Sequence, residues 1–71
     1  MEEQVIRGVR EKLIEFRERL SILSDPRHIL SLMREITEFI SRYQAIVNEH
    51  YLNYYNEIIK VAEKKISASS N

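Results

Sequence analysis

The sequence predicts an all-α fold: an antiparallel helical hairpin, with a short helix over residues 2–23 and a long one over 26–66, completed to a helical bundle by oligomerisation. Three observations predict it. Apolar residues recur at steps of three and four along nearly the whole chain, which marks one face of an α-helix. Glycine and proline occur once each, at Gly8 and Pro26. The one strong punctuation, Leu23-Ser24-Asp25-Pro26, divides the chain into two unequal parts.

In the first part Glu2 and Glu3 place acid where a helix N-terminus favours negative charge. Ile6, Val9, Leu13, Phe16, Leu20 and Leu23 then form a coiled-coil-like a/d seam of about two and a half heptads. With Ile6 as a, the flanking e and g positions are Arg10, Lys12, Arg17 and Arg19, apart from Val5. This charged edge has two readings. One is a solvated flank with i,i+4 pairs such as Glu3–Arg7 and Glu15–Arg19. The other is a basic strip that selects an acidic partner or holds phosphates. Val5, Ile14 and Ile22 lie off the seam and widen the apolar face, as in a helix that touches more than one neighbour. Gly8 costs the helix about 1 kcal/mol relative to alanine, and a close approach by a neighbour is one reason to keep it.

At the punctuation, Asp25 suits an N-cap and Pro26 a first helical residue, which has no N–H to lose there. So short a connection turns the second helix back along the first. In the second part Ile29, Met33, Ile36, Ile40, Tyr43, Val47, Tyr51, Tyr54, Ile58 and Ala62 keep the helical spacing without losing phase. The elevenfold spacing of Ile29, Ile40, Tyr51 and Ala62 fits a straight continuous helix. Such a helix is about 60 Å long, against about 33 Å for the first.

The first helix therefore covers the second only to about Asn48. Tyr51, Leu52, Tyr54, Tyr55, Ile58, Ile59 and Ala62 are left without intrachain cover and are the expected interface. A second copy packing its long helix antiparallel supplies that cover. The alternative is a three-helix bundle with a break near Asn48-Glu49-His50. That stretch lacks glycine, proline and serine, and Asn48 has no Glu or Gln three residues on to complete a capping box. Residues 1–66 then form one helical domain and 67–71 a frayed polar tail.

Composition narrows function more than it names it. Eleven basic residues balance eleven acidic ones, so there is no overall basic footprint for nucleic acid. There is no cysteine for a disulfide, thiolate metal site or nucleophile. The acidic opening with no long apolar run after it does not resemble a signal peptide, and no segment reaches the ~18 apolar residues of a membrane span. A cytoplasmic protein without a membrane role is expected. Glu35 and Glu38 form one ExxE, whereas di-metal bundles pair such motifs, so no metal is expected. No catalytic residues and no cofactor site are expected either, as glycine-rich loops and nucleophile–base pairs are missing.

The tyrosines Tyr43, Tyr51, Tyr54 and Tyr55, with Asn53, Asn56, Lys60, Lys64 and Lys65 nearby, fit either of two surfaces. Tyrosine is enriched at protein interfaces, where its ring is buried and its hydroxyl stays wet. Tyrosine with lysine also suits single-stranded nucleic acid. Helical spacing with Val47, Ile58 and Ile59 favours the first. The sequence thus points to a small, non-enzymatic helical interaction module that self-associates, or docks as an accessory or regulatory subunit on a larger complex. The alternative is an accessory protein that binds nucleic acid through Arg, Lys and Tyr side chains.

Overall fold

A computed structural model describes residues 2–69 and shows an all-α bundle of three packed helical segments. Helix α1 (Glu2–Ile22) opens with Glu2 and Glu3 and carries Arg19 in its last turn. It buries Val9, Leu13, Phe16 and Leu20, four consecutive members of the a/d seam. Ile6 and Leu23, at the two ends of the seam, are half-buried.

The first reversal forms as the sequence predicts. Leu23 donates its N–H to the Leu20 carbonyl, tightening the end of α1. Asp25 has an extended backbone (ψ 121°), and its Oδ1 accepts from the Arg27 N–H at 2.9 Å. Its carbonyl accepts from His28 and Ile29 at 3.0 Å each. Helix α2 (Pro26–Arg42) starts on Pro26 and buries Ile29, Leu32, Ile36 and Ile40. It runs antiparallel to α1, since Arg19 meets Glu35 while the earlier Phe16 meets the later Phe39.

The long helix is not continuous over 26–66. The chain leaves helical geometry at Tyr43 (φ −122°, ψ 29°), whose N–H bonds the Ile40 carbonyl and whose carbonyl accepts from Val47 N–H. Beyond it come α3 (Gln44–Ile46), a π-helical turn (Val47–Tyr51) and α4 (Leu52–Ser69). Ile46, Val47 and Leu52 hold ordinary right-handed helical dihedrals, so these pieces form one rod. The rod runs parallel to α1: Tyr51 bonds Ile6, Glu57 pairs with Arg17, and Lys65 reaches Ser21 and Leu23. The architecture is the three-helix alternative, but the reversal falls five residues before Asn48. The residues expected to break, Asn48-Glu49-His50, lie inside the π turn. At the far end Ser67 to Ser69 extend α4, where the sequence reading places a tail; Ser70 and Asn71 lie outside the described residues.

Magnitudes explain why the fold-back wins without a glycine or proline. It takes Val47, Ile58 and Ala62 completely out of water. Burying a Val or Ile side chain stabilises by about 1.5–3 kcal/mol, more than the net ~1 kcal/mol of each backbone hydrogen bond interrupted at a one-residue break. The rod also carries two apolar rows rather than one. Val47, Tyr51, Tyr54, Ile58, Val61 and Lys65 follow steps of four and three, and Tyr51, Tyr54 and Lys65 of this row meet α1. Tyr55, Ala62 and Ile66 form a second row one position along. A helix that serves two neighbours needs such a pair of rows. The bundle measures 45 × 17 × 16 Å.

Two substitutions test this packing. A Cβ built on Gly8 meets nothing within 4 Å, so no neighbour approaches there, and the glycine has no positive φ. Gly8→Ala is expected to raise unfolding free energy by about 1 kcal/mol, measured by urea denaturation; an unchanged or lower midpoint contradicts an open helix site. Tyr51→Phe removes the bond to the Ile6 carbonyl and is expected to cost about 0.5–1.5 kcal/mol in the same assay. A neutral result would show that the tie between rod and α1 contributes nothing.

Candidate interaction surfaces

Among the described residues no three His, Asp or Glu side chains converge as metal ligands, no charged side chain is buried, and no buried side-chain polar atom lacks a partner. Glu35 of the ExxE pair accepts two hydrogen bonds from Arg19, at 3.0 and 2.9 Å. His28 and His50 are exposed, the latter 3.8 Å from the neighbouring Glu49 carboxylate. Both shifted carboxylates belong to exposed structural pairs and not to a cleft. Hydrogen bonds from the Arg27 side chain, and then from its backbone N–H, hold the Asp25 carboxyl below its ordinary value. The hydrogen-bonded Arg19 guanidinium does the same for Glu35.

The expected interface divides in two. Ile58 and Ala62 are fully buried within the chain, because the fold-back covers them. Tyr51 is half-buried, with its hydroxyl donating to Ile6 at 3.0 Å, and Tyr54 is half-buried beneath the Arg17 guanidinium at 6.0 Å. Leu52 is 45% exposed, Tyr55 and Ile59 are half-buried, and the three fall at i, i+3 and i+7 on one line of α4. This line is what remains of the expected patch at the surface, with Tyr55 at its inner edge packed against the core. Sequence reasoning gave no reason to expect Leu30 outside, at 55% exposed. Ile22 and Val5, expected to widen the apolar face of α1 toward a second neighbour, are instead 81% and 44% exposed, because neither helix packed on α1 covers them. Of the three off-seam residues of α1, Ile14 alone is half-buried.

The basic edge of α1 also divides, by heptad position. The g residues face α2: Lys12 bonds Glu15, and Arg19 clamps Glu35 across the α1–α2 seam. The e residues face α4. Arg17 lies 3.6 Å from Glu57 and over the Tyr54 ring, whereas Arg10 has no acid within ion-pair distance among the described residues. Arg10 rims a cleft between α1 and α4 lined by Leu13, Ile14, Tyr51 and Tyr54. A second, shallow trough between α1 and α4 is lined by Arg17, Glu57, Lys60, Val61 and Lys64.

The Arg19–Glu35 clamp sets a pH dependence. Because the folded carboxyl titrates below its ordinary value, its stabilisation is present above the ordinary carboxylate range and is lost as pH falls through the lowered folded value. Both side chains are nearly half exposed, so the effect stays within about 1 kcal/mol. Glu35→Gln is expected to lower stability at neutral pH and to leave the acid-side value close to that of the parent, measured by urea denaturation across the acid range. Equal destabilisation at both ends would assign the loss to packing and not to charge.

No family model matches this chain, and neither do any of the curated proteins or solved structures with which it was compared. Its functional reading therefore rests on the surfaces described above.

Proposed function

We propose that this chain is a small helical protein–protein interaction module that self-associates through the outer line of α4, and that such a module can serve as an accessory subunit of a larger assembly. The observation that carries this is the row Leu52, Tyr55 and Ile59, with Leu52 nearly half exposed at the first residue of α4. A tyrosine flanked by aliphatic residues at helical spacing suits a contact that alternates between water and a partner. A second copy is the simplest partner, because most soluble oligomers are symmetric homo-oligomers. Three side chains make a small contact of the weak, reversible kind, below about 1,200 Å2. The reading requires no catalytic group, metal or cofactor.

A nucleic-acid role fits the geometry less well. Stacking bases need a free ring face, while Tyr51 is tied to Ile6 and one face of Tyr54 lies under Arg17. Light scattering across a concentration series is expected to show a mass rising above 8.5 kDa. Leu52→Glu should hold it at the monomer value with helicity by circular dichroism retained. A monomer at every concentration would overturn self-association, and a Leu52→Glu protein that still associates would exclude the α4 line as its site.

A further inference from the structure

The α1–α4 groove lies on a different face from the α4 line, and its chemistry stands whether or not the chain self-associates. Along one side run the e-position cations Arg10 and Arg17, and along the other Lys60 and Lys64. Two acids, Glu57 and Glu63, share the trough with Arg17, Lys60 and Lys64, while the neighbouring cleft holds Arg10 and, among the described residues, no acid. Glu57 is engaged with Arg17. Among the described residues no carboxylate comes within ion-pair distance of Arg10, Lys60 or Lys64. The apolar lining is half-buried, Ile14 and Tyr54 in the cleft and Val61 in the trough, with Arg17 between Tyr54 and Glu57. The g-position cations contrast with these: Lys12 and Arg19 are already paired with Glu15 and Glu35. Of the four cations that edge the α1 seam, the one without a carboxylate among the described residues, Arg10, lies on the α4 side.

From this charge complementarity and apolar lining we infer that the α1–α4 groove docks an acidic amphipathic helix of another protein. The docked helix lays its apolar face along Ile14, Tyr54 and Val61 and turns its carboxylates to Arg10, Lys60 and Lys64. Helices that enter grooves read such surfaces through apolar anchors at i, i+3, i+4 and i+7. The cations along the rim govern encounter rate and partner choice more than affinity, so binding weakens with salt. A protein helix fits better than a nucleic acid, because aliphatic Ile14 and Val61 offer no stacking plane and two carboxylates sit among the cations.

The test uses the full chain and a fluorescent synthetic helix with leucines along one face and glutamates elsewhere. Its controls are the same peptide with lysines in place of glutamates, and a single-stranded oligothymidine. Anisotropy titrations are expected to show salt-sensitive binding of the acidic peptide alone, with resonance shifts at Ile14, Tyr54 and Val61. Lys60→Glu combined with Lys64→Glu should weaken it about tenfold or more, since like charges then face each other. Leu52→Glu, on the other face, should leave it unchanged, which separates this groove from the self-association surface. No binding, equal binding of the lysine peptide, indifference to the charge reversal, or preference for oligothymidine would each overturn the assignment.

Discussion

Covering Val47, Ile58 and Ala62 is the constraint on which the rest of the structure depends. These residues lie on one rod, and a single neighbour cannot enclose the face they share with Tyr51, Tyr54 and Tyr55. Enclosure needs α1 on one side and α2 on the other, so the chain must reverse twice. One reversal is written into Asp25 and Pro26. The other is imposed at Tyr43 by the demand for cover. A chain of 71 residues with no cysteine has little besides this core to hold it, since small domains bury a modest share of their surface. Each apolar row must therefore meet a partner within the chain.

Polar contacts then fix register. Tyr51 ties the start of the rod to the first turns of α1, and Lys65 ties its last turns to the carbonyls that end α1. The second contact places a cation where the helix macrodipole is negative and supplies donors to carbonyls that have no helical partner. Arg19 and Glu35 pin α2 to α1 in the same way, with two parallel hydrogen bonds that fix geometry as well as distance. Two of the three contacts lie at opposite ends of the seam between α1 and the rod, and the third lies on the α1–α2 seam. Together they set the register of both other helices against α1.

Local signals in the sequence were legible wherever a local cause decided the structure. The α1 seam and the Asp25–Pro26 start of α2 were both readable, because spacing and capping act within a few residues. Tyr43 was not, since nothing in Ser41-Arg42-Tyr43-Gln44 breaks a helix by itself; its ring packs 4.9 Å from Phe39, a contact made within the folded core. The unbroken phase of the apolar stripe pointed toward a straight helix, when the same residues serve a rod with two faces. The candidate surface was legible in the same measure. Leu52 stayed exposed and Ile59 half-exposed, Tyr55 packs partly against the core, and Ile58 and Ala62 were absorbed by a neighbour whose position no spacing rule specifies. Spacing apportioned only part of the basic edge: Glu15 pairs with Lys12 and Arg19 within α1, whereas the partner of Arg17 and the clamp of Arg19 on Glu35 depend on where α4 and α2 come to lie.

The π turn at Val47–Tyr51 has a consequence for which changes of length the chain can absorb. Each residue of a regular helix turns its successor by about 100°, so a widened turn acts as a phase adjuster between the reversal at Tyr43 and the rows that begin at Tyr51. Removing one residue from this stretch would convert it to an ordinary helical turn, and because a π turn takes up about one residue more than an α-helical one, the rows after it would keep their faces. Removing a second residue would have no such slack to draw on: Ile58 and Ala62 would swing toward solvent, and Glu57 or Glu63 would be driven inward. The rod thus absorbs the loss of a single residue where its backbone is least regular, and the loop-like look of Asn48-Glu49-His50 conceals an angular setting shared with a helix one residue shorter.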